Sequence, residues 1–515
     1  MKKARKLLAF LMLICTALTV ALSGCSGDRA DAPSEDDISN TGDAASLHVG
    51  LAKDLDDSLD PHKTVSAGTE EVLFNVFEGL VKADPQGNLI PAVAERYSVS
   101  EDGTQYTFTL REGITFHSGD PVTVEDVIYS IKRCAGLLAD EPEALVTAFS
   151  VITDVRAEDE KTVVIEIESR NLEFISYLTS AIIPADYAEQ DTAPMGTGPY
   201  MFVSRSAQEN FKLTRYDGYW GEAPYIRDVT FKIMSQDALV TSLLSGAIDL
   251  CAHLTPAQAA EVEEKYDVIT GGMNSVLGVY LNNAVEPLND PLVRQALCHA
   301  VNVEELMALV FDGKGAPLGS SMYPAFGKYF MEELTGRYPY DPDKSRELLS
   351  QAGYPDGFSI TLTASSAATQ YVETAQVVAE HLKAVGVNAE IILVDWETWV
   401  SDVYGARNYE MTIVDFDASA MTARALLERF NSGHAKNISN FANPAYDAAY
   451  LRAVEAASDE EQVAAYQECQ TILSDDAANI YLMDMPDMVA VRRDLTGYTL
   501  YPMFIIDLAK LQPKG

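Results

Sequence analysis

The sequence predicts a mixed α/β protein built in more than one lobe, and three observations carry that prediction. Its 515 residues are roughly three to four times the usual domain length, enough to bury several cores. Period-two hairpins surround one amphipathic helix in the first third, the pattern of an α+β lobe. A strand, helix and strand in succession over 358–394 mark a separate α/β lobe.

The elements follow in order. Tyr97-Ser-Val-Ser and Tyr106-Thr-Phe-Thr-Leu alternate polar and apolar residues about Asp102-Gly103, where glycine suits the positive φ of a tight turn. A second hairpin is expected from 151–155 to 162–167, about Glu158-Asp-Glu160. Between the two, the stretch 121–133 opens with Pro121 and a Thr123 cap and then sets apolar residues at helical spacing. Further on, Phe358-Ser-Ile-Thr-Leu reads as a strand, 371–385 as a helix stopped by Gly386, and 387–394 as the next strand. Another strand is expected at Tyr409-Glu-Met-Thr-Ile-Val, and helices at 444–457 and 460–473. No repeat of fixed period runs through the chain.

Composition narrows the function. The chain is 47% hydrophobic and 22% charged, with 37 basic against 77 acidic side chains and a net charge of −40. Such a body repels a phosphate backbone, and no basic cluster offsets it, so nucleic acid is excluded as a partner. Lys2, Lys3, Arg5 and Lys6 precede an apolar run from Leu7 to Leu22. As a helix this run reaches ~24 Å, short of the ~30 Å hydrocarbon core of a bilayer, which fits a signal peptide over residues 1–24. Leu22-Ser-Gly-Cys25 resembles the lipobox of bacterial lipoproteins and implies lipidation of Cys25; an uncleaved signal anchor is the alternative. Residues 25–45 are acidic and nearly devoid of large apolar groups, and are expected to be a disordered tether.

Cys134, Cys251, Cys298 and Cys469 remain beyond the signal and Cys25. Their wide spacings contain no C-x-x-C, which favours four buried free thiols over a metal site or a disulfide framework. The seven histidines, His48, His62, His117, His253, His299, His381 and His434, include no pair four apart. A zinc helix, a nucleophile elbow, a phosphate loop and an EF-hand loop are all missing from the sequence. Neither a cofactor nor a resident metal is expected, and the chain is not expected to be an enzyme.

Several motifs carry a family resemblance. They are Leu59-Asp-Pro-His62, Asn75-Val-Phe-Glu-Gly-Leu80, the run from Tyr106 to Ile131, Gly196-Thr-Gly-Pro-Tyr200, Tyr216-Asp-Gly-Tyr-Trp220, Leu244-Ser-Gly-Ala-Ile-Asp249, Leu288 to Leu297, and Tyr340 to Leu349 with Ala352-Gly-Tyr354. Together they resemble the oligopeptide, dipeptide and nickel type of extracellular solute-binding proteins of ABC importers, over residues 47–515. The resemblance implies a two-lobed clamp of the type II periplasmic-binding-protein kind with an extra α+β domain. Domain I would comprise 46–78, 193–279 and 486–515, domain II 79–192, and domain III 280–485. The implied protein is a monomeric, lipid-anchored binder on the extracytoplasmic face of a bacterial membrane. Its partners would be a peptide or small-molecule ligand and the permease and ATPase subunits.

In such relatives two extended segments, one per lobe, sandwich the ligand as an added strand. By position these fall at Val65-Ser66-Ala67, adjoined by Gly68, and at Asp415-Phe416-Asp417 with Ser419 beyond, while Trp396 takes the place of a pocket-lining tryptophan. Core packing stays open for Trp396 and Trp399. In peptide-binding relatives an Asp near Ser419 receives the ligand's ammonium, whereas this chain has acids at 415 and 417. Alternation along a strand puts 415, 417 and 419 on one face, with Phe416 turned away. Asp417 is then the expected cation anchor and Asp415 its substitute, unless Asp417 pairs with Arg424 or Arg407. Dipeptide-specific relatives also carry an Arg just after the strand at 359–364, where this chain has the uncharged Ser365-Ser-Ala-Ala-Thr-Gln. A peptide or similar amine-bearing solute is the leading ligand, a nickel chelate the alternative within the same fold, and an extracellular hydrolase a remote one. Outside the cleft, Gly196-Thr-Gly-Pro-Tyr200 is read as a turn into a strand, Tyr216, Tyr219 and Trp220 as pins of a turn, and Arg294 as half of an ion pair.

Overall fold

Three sheets organise the protein, described in a computed structural model over residues 46–64, 66–139, 142–418 and 421–515. The signal peptide, the tether, Cys25, Val65 and Ser419 lie outside the described residues.

The first sheet has seven strands, in spatial order Tyr266–Gly272, Pro486–Arg492, Leu250–Cys251, Leu47–Leu51, Asp228–Ile233, Asn210–Arg215 and Tyr200–Ser206. Leu47–Leu51 lies parallel to both of its neighbours, and the other pairings are antiparallel. Val49, Phe211 and Phe231 fill its core. The second sheet is an antiparallel meander with one exchange, in the order Ala94–Val99, Gln105–Leu110, Thr162–Ile167, Ile152–Ala157. Both expected hairpins are there. Helix Val124–Ala135 covers this sheet with Val127, Ile131 and Cys134. Its start is fixed by a reciprocal cap between Thr123 and Asp126, and its end by Gly136 at φ 68°.

The third sheet has six strands, ordered Ala316–Pro317, Asn479–Asp484, Ser275–Leu281, Met411–Asp417, Phe358–Ser365, Val387–Val394. The expected strand-helix-strand unit is its parallel edge, with helix Thr369–Lys383 as the crossover and Gly386 at φ 91° turning the chain back. Helices cover both faces of this sheet, Pro291–Ala300 and Thr369–Lys383 on one side, Pro444–Val454 and Asp459–Asp475 on the other.

Two short connections join the first and third sheets. Tyr266–Gly272 continues through Met273 and Asn274 into Ser275–Leu281, and Asn479–Asp484 continues through Met485 into Pro486–Arg492. They are laced together where they cross: Met273 N donates to Met485 O at 2.7 Å and Ser275 N to Asp484 Oδ1 at 3.1 Å. Asn274 turns the first crossing at φ 60°, a left-handed conformation that asparagine tolerates. This is a two-lobed clamp hinged on crossing strands, with the four-stranded α+β unit on the side of the seven-stranded sheet. That unit also reaches the opposite lobe, where Tyr466 Oη donates to the buried Glu173 at 2.7 Å and Tyr177 lies 3.4 Å from Thr422.

The family motifs turn out to be joints. Asp60 and His62 of Leu59-Asp-Pro-His62 hold Arg133, whose guanidinium meets both Asp60 oxygens at 2.6 and 3.0 Å and the His62 Nδ1 at 3.1 Å. The far nitrogen of His62 lies 2.8 Å from the Ala181 carbonyl. Gly196 and Gly198 lie against the Asn75 and Val76 carbonyls, where a Cβ would come within 2.6 Å, and the turn leads into Tyr200–Ser206 as expected. Glu78 of Asn75-Val-Phe-Glu-Gly-Leu80 accepts from Tyr219 at 2.8 Å, Trp220 at 2.6 Å and Lys82 at 2.7 Å, and Tyr216 donates to the Phe116 carbonyl. Arg294 corrects the expectation of an ion pair. It donates to the carbonyls of Ala477, Leu288 and Asp476 at 2.8–3.0 Å, because it abuts the end of helix Asp459–Asp475, where carbonyls lack intrahelical partners. Cys251, Cys298 and Cys469 are buried free thiols, and Cys134 is buried.

Candidate functional site

On one wall of the cleft, helix Ala67–Leu73 corrects the extended reading of Ala67, while Ser66 before it is extended as expected. Ser66 is the last extended residue (φ −95°, ψ 130°) and caps helix Ala67–Leu73 by accepting from Thr69 N. The helix wins because a Ser cap, an acid in the first turn and the apolar pair Val72 and Leu73 all agree. Asp56 braces its start, accepting from Ser66 N at 3.0 Å while Thr69 Oγ1 accepts from Asp56 N at 2.8 Å. Thr69, Glu71, Val72 and Leu73 turn into the lobe; Ala67, Gly68 and Glu70 remain exposed. A Cβ on Gly68 would meet nothing within 4 Å, so that position borders open space.

The other wall is strand Met411–Asp417, which alternates as expected. Met411 and Ile413 enter one core, while Val414 enters the other with Phe416 packed on it. Asp415 accepts a hydrogen bond from Tyr371 of helix Thr369–Lys383. Neither arginine anticipated as a partner reaches Asp417. Arg407 is spent on the carbonyls of Asn437, Ala435 and His434, and Arg424 lies 4.0 Å from Glu428.

Charge is where the walls meet. Burial pushes the Glu70 carboxyl up to about 7, with Asp417 and Asp56 adding to the rise, so acids from opposite lobes repel each other across the cleft. Asp417 is raised likewise by burial and by Asp415, with Arg429 pulling the other way. At the hinge, Asp484 is 3% exposed, and burial pushes it up to about 7 despite hydrogen bonds from the Ser275 and Asn274 amides. Among the described residues, neither Glu70 nor Asp417 has an ion-pair partner.

An aromatic shelf runs beside these acids. Trp396 is 46% exposed and stacks on Trp399 at 5.0 Å and 9°, while Trp399 is 2% exposed and donates from Nε1 to Thr412 at 2.9 Å. The two tryptophans therefore divide the roles the sequence left open, one in the core and one at the surface. Tyr404 links Trp399 to Phe416, and Phe416 meets Tyr280 edge-on at 5.0 Å. The Arg429 guanidinium covers the Phe416 ring at 4.2 Å. Glu70, Tyr371, Arg429 and Asp484 were not anticipated. Only Glu70 had a local signal, the capped first turn Ser66-Ala-Gly-Thr-Glu; the other three depend on long-range packing.

A cavity of about 60 Å³ lies elsewhere in the six-stranded lobe, between Cys298, Tyr338, Ser474 and Asn479. It borders none of these acids, and its unpartnered Ser474 Oγ and Asn479 Nδ2 suit ordered water. Among the described residues no group of three His, Cys, Asp or Glu is placed to hold a metal ion.

Known proteins resemble the chain over most of its length. The glutathione-binding protein GsiB of Pectobacterium atrosepticum is 28% identical over 466 residues, covering 86% of this chain and 90% of that protein. The dipeptide-binding protein of Escherichia coli K12 is 26% identical, covering 81% and 84%. The structure of the ABC transporter substrate-binding protein CtaP from Listeria monocytogenes superposes with a TM-score of 0.82 at 23% identity, over 92% of this chain and all of that one. The family model "Bacterial extracellular solute-binding proteins, family 5 Middle" matches residues 88–437. A hinged clamp whose walls meet in unpaired charge is the expected anatomy of a solute binder, and with that match spanning more than half of its sequence the chain belongs to the bacterial extracellular solute-binding proteins of family 5.

Proposed function

We propose that this protein captures a peptide or similar amine-bearing solute between its lobes, with the ligand's ammonium at Asp417 and Glu70. The chain serves as the solute-binding component of an ABC importer, and its lobes close on the ligand before delivery to the permease and ATPase subunits. The observation that carries the ligand class is the pair of unpaired acids from opposite lobes. Bringing them together is unfavourable until a cation sits between them, so ligand binding and closure are one event. Asp415 and Tyr371 back the site, and Trp396 with Ser66, Ala67, Gly68 and Phe416 shape its sides. Val65 and Ser419 complete the two segments by sequence position. Relatives named for glutathione and dipeptide binding support a peptide, both being amino-terminated.

The chain performs no chemistry on its ligand in this reading. The lobes divide into domain I (46–78, 193–279, 486–515), domain II (79–192) and domain III (280–485), a division supported by the segments each sheet draws on. Leu22-Ser-Gly-Cys25 supports a lipid anchor on Cys25, which would hold the monomer at the extracytoplasmic face of the membrane. Native mass spectrometry of the protein extracted from membranes tests both parts. A retained peptide and a mature chain beginning at acylated Cys25 are expected. A retained metal chelate would replace the peptide reading, and an unprocessed N-terminus would remove the anchor.

A further inference from the structure

Arg429 stands beside the acids, and two of its donors find no acceptor within the fold. It lies in the short turn Glu428–Phe430, which follows helix Ala423–Leu427 on the same wall as Asp417. Its guanidinium rests on the Phe416 ring at 4.2 Å, and its Nε and Nη1 are enclosed without a hydrogen-bond acceptor. Among the described residues it makes no ion pair. Other enclosed arginines are met within the fold: Arg294 meets three carbonyls, Arg133 meets both oxygens of Asp60, and Arg170 and Arg205, whose Nε is likewise unmet, bond through both of their other nitrogens. A guanidinium with two donors enclosed and unmet is costly unless an acceptor arrives from outside. Asp417 does not fill that role, although it is near enough for the Arg429 charge to lower its pKa. Stacking on Phe416 fixes the plane of the fork, which prepares it for the bidentate geometry of a carboxylate.

We infer that Arg429 is the anion anchor of the cleft, receiving a carboxylate of the ligand while the acids hold its ammonium. The inference rests on the proposed peptide reading and sharpens it: the ligand is a zwitterion, and its carboxylate lies at the Phe416 end of the shelf. It also answers the missing basic residue after strand Phe358–Ser365, since the positive charge comes from a different element.

The test uses a tripeptide library and the same library amidated at its C-terminus, with retained species identified by mass spectrometry and then titrated. Wild type is expected to retain free-acid peptides and to bind their amides about tenfold more weakly or worse. Arg429→Gln should lose about tenfold or more for the acids and less than about twofold for the amides. Arg429→Met is the control for folding. With no hydrogen bond or ion pair to lose and a methionine thioether to pack on Phe416 in place of the guanidinium, its ligand-free melting temperature should stay within about 2 °C of wild type or rise. Equal losses for acids and amides, or less than about threefold for either, overturn the anion anchor and leave the peptide reading standing. Failure of both libraries to bind wild type overturns both.

Discussion

Glu70 and Glu71 are neighbours on one helix and lead opposite lives. Glu71 turns into its lobe, where it lies 2.7 Å from His253 Nε2, whose Nδ1 lies 3.0 Å from Asp487. Burial alone would lower the His253 pKa, but the two carboxylates raise it well above its ordinary value, so the ring is an imidazolium bracketed by two acids. Glu70 faces the cleft with no cation near it and is pushed up to about 7. The same split separates Arg133 from Arg429. Charges that hold the fold find partners within it, whereas the charges proposed for the ligand make no ion pair among the described residues.

The largest expected effect tests the paired class. Asp60→Asn removes the carboxylate charge that Arg133, 5% exposed, is buried against, and should cost about 3–5 kcal/mol in urea unfolding, while peptide affinity measured below the transition is unchanged. A cost under about 1 kcal/mol would break the comparison. Asp417→Asn tests the unpaired class in the opposite sense. It should weaken an amine-terminated peptide about ten- to hundredfold without lowering unfolding stability, because it removes repulsion and no native partner. A threefold or smaller change in affinity, at about the resolution of such titrations, would remove the carboxylate anchor.

The smallest effect is on pH. If closure brings the burial and the Asp417 charge that raise Glu70 from its ordinary 4.5, the closed form binds protons more tightly, so acid favours closure and that contribution is lost as pH rises through about 7. Scattering from the ligand-free protein should show compaction between about pH 8 and pH 5.5, diminished in Glu70→Gln. His253 does not mimic this. Its contribution is present below its ordinary value of 6.5 and is lost only as pH rises through its much higher folded value. An undiminished pH response in Glu70→Gln would place the titrating group elsewhere, with Asp484 the nearest alternative.

Local pattern made much of the fold legible. The hairpins, the Thr123 cap and the strand-helix-strand edge are each set by residues within a dozen positions, and the extent of the motifs carried the clamp. The cleft was half legible. Alternation placed Asp415 and Asp417 on one face because a strand's period is independent of its neighbours. At Ala67 the chain follows its own Ser66 cap into a helix and departs from the extended segment that the resemblance implies. Arg429 and Tyr371 could not be read from sequence, since a guanidinium reaching a ring thirteen positions earlier, or a tyrosine meeting an acid from a crossover helix, follows only from the packing of distant elements.

The crossing strands place the start and finish of one whole lobe side by side. Ser275, where the chain enters the six-stranded sheet, is hydrogen-bonded to Asp484, where it leaves. For the seven-stranded sheet everything between them is one insertion, yet Val268 pairs with Ala490 and Tyr266 with Arg492 across it. Closing so long a stretch in an unfolded chain carries a large entropy cost. Once the inserted lobe has folded, its ends are neighbours and the gap to be closed is that of a short hairpin. Assembly of the host sheet is thereby made contingent on the lobe it carries, and a chain that fails to form the second lobe is denied the last strand of the first.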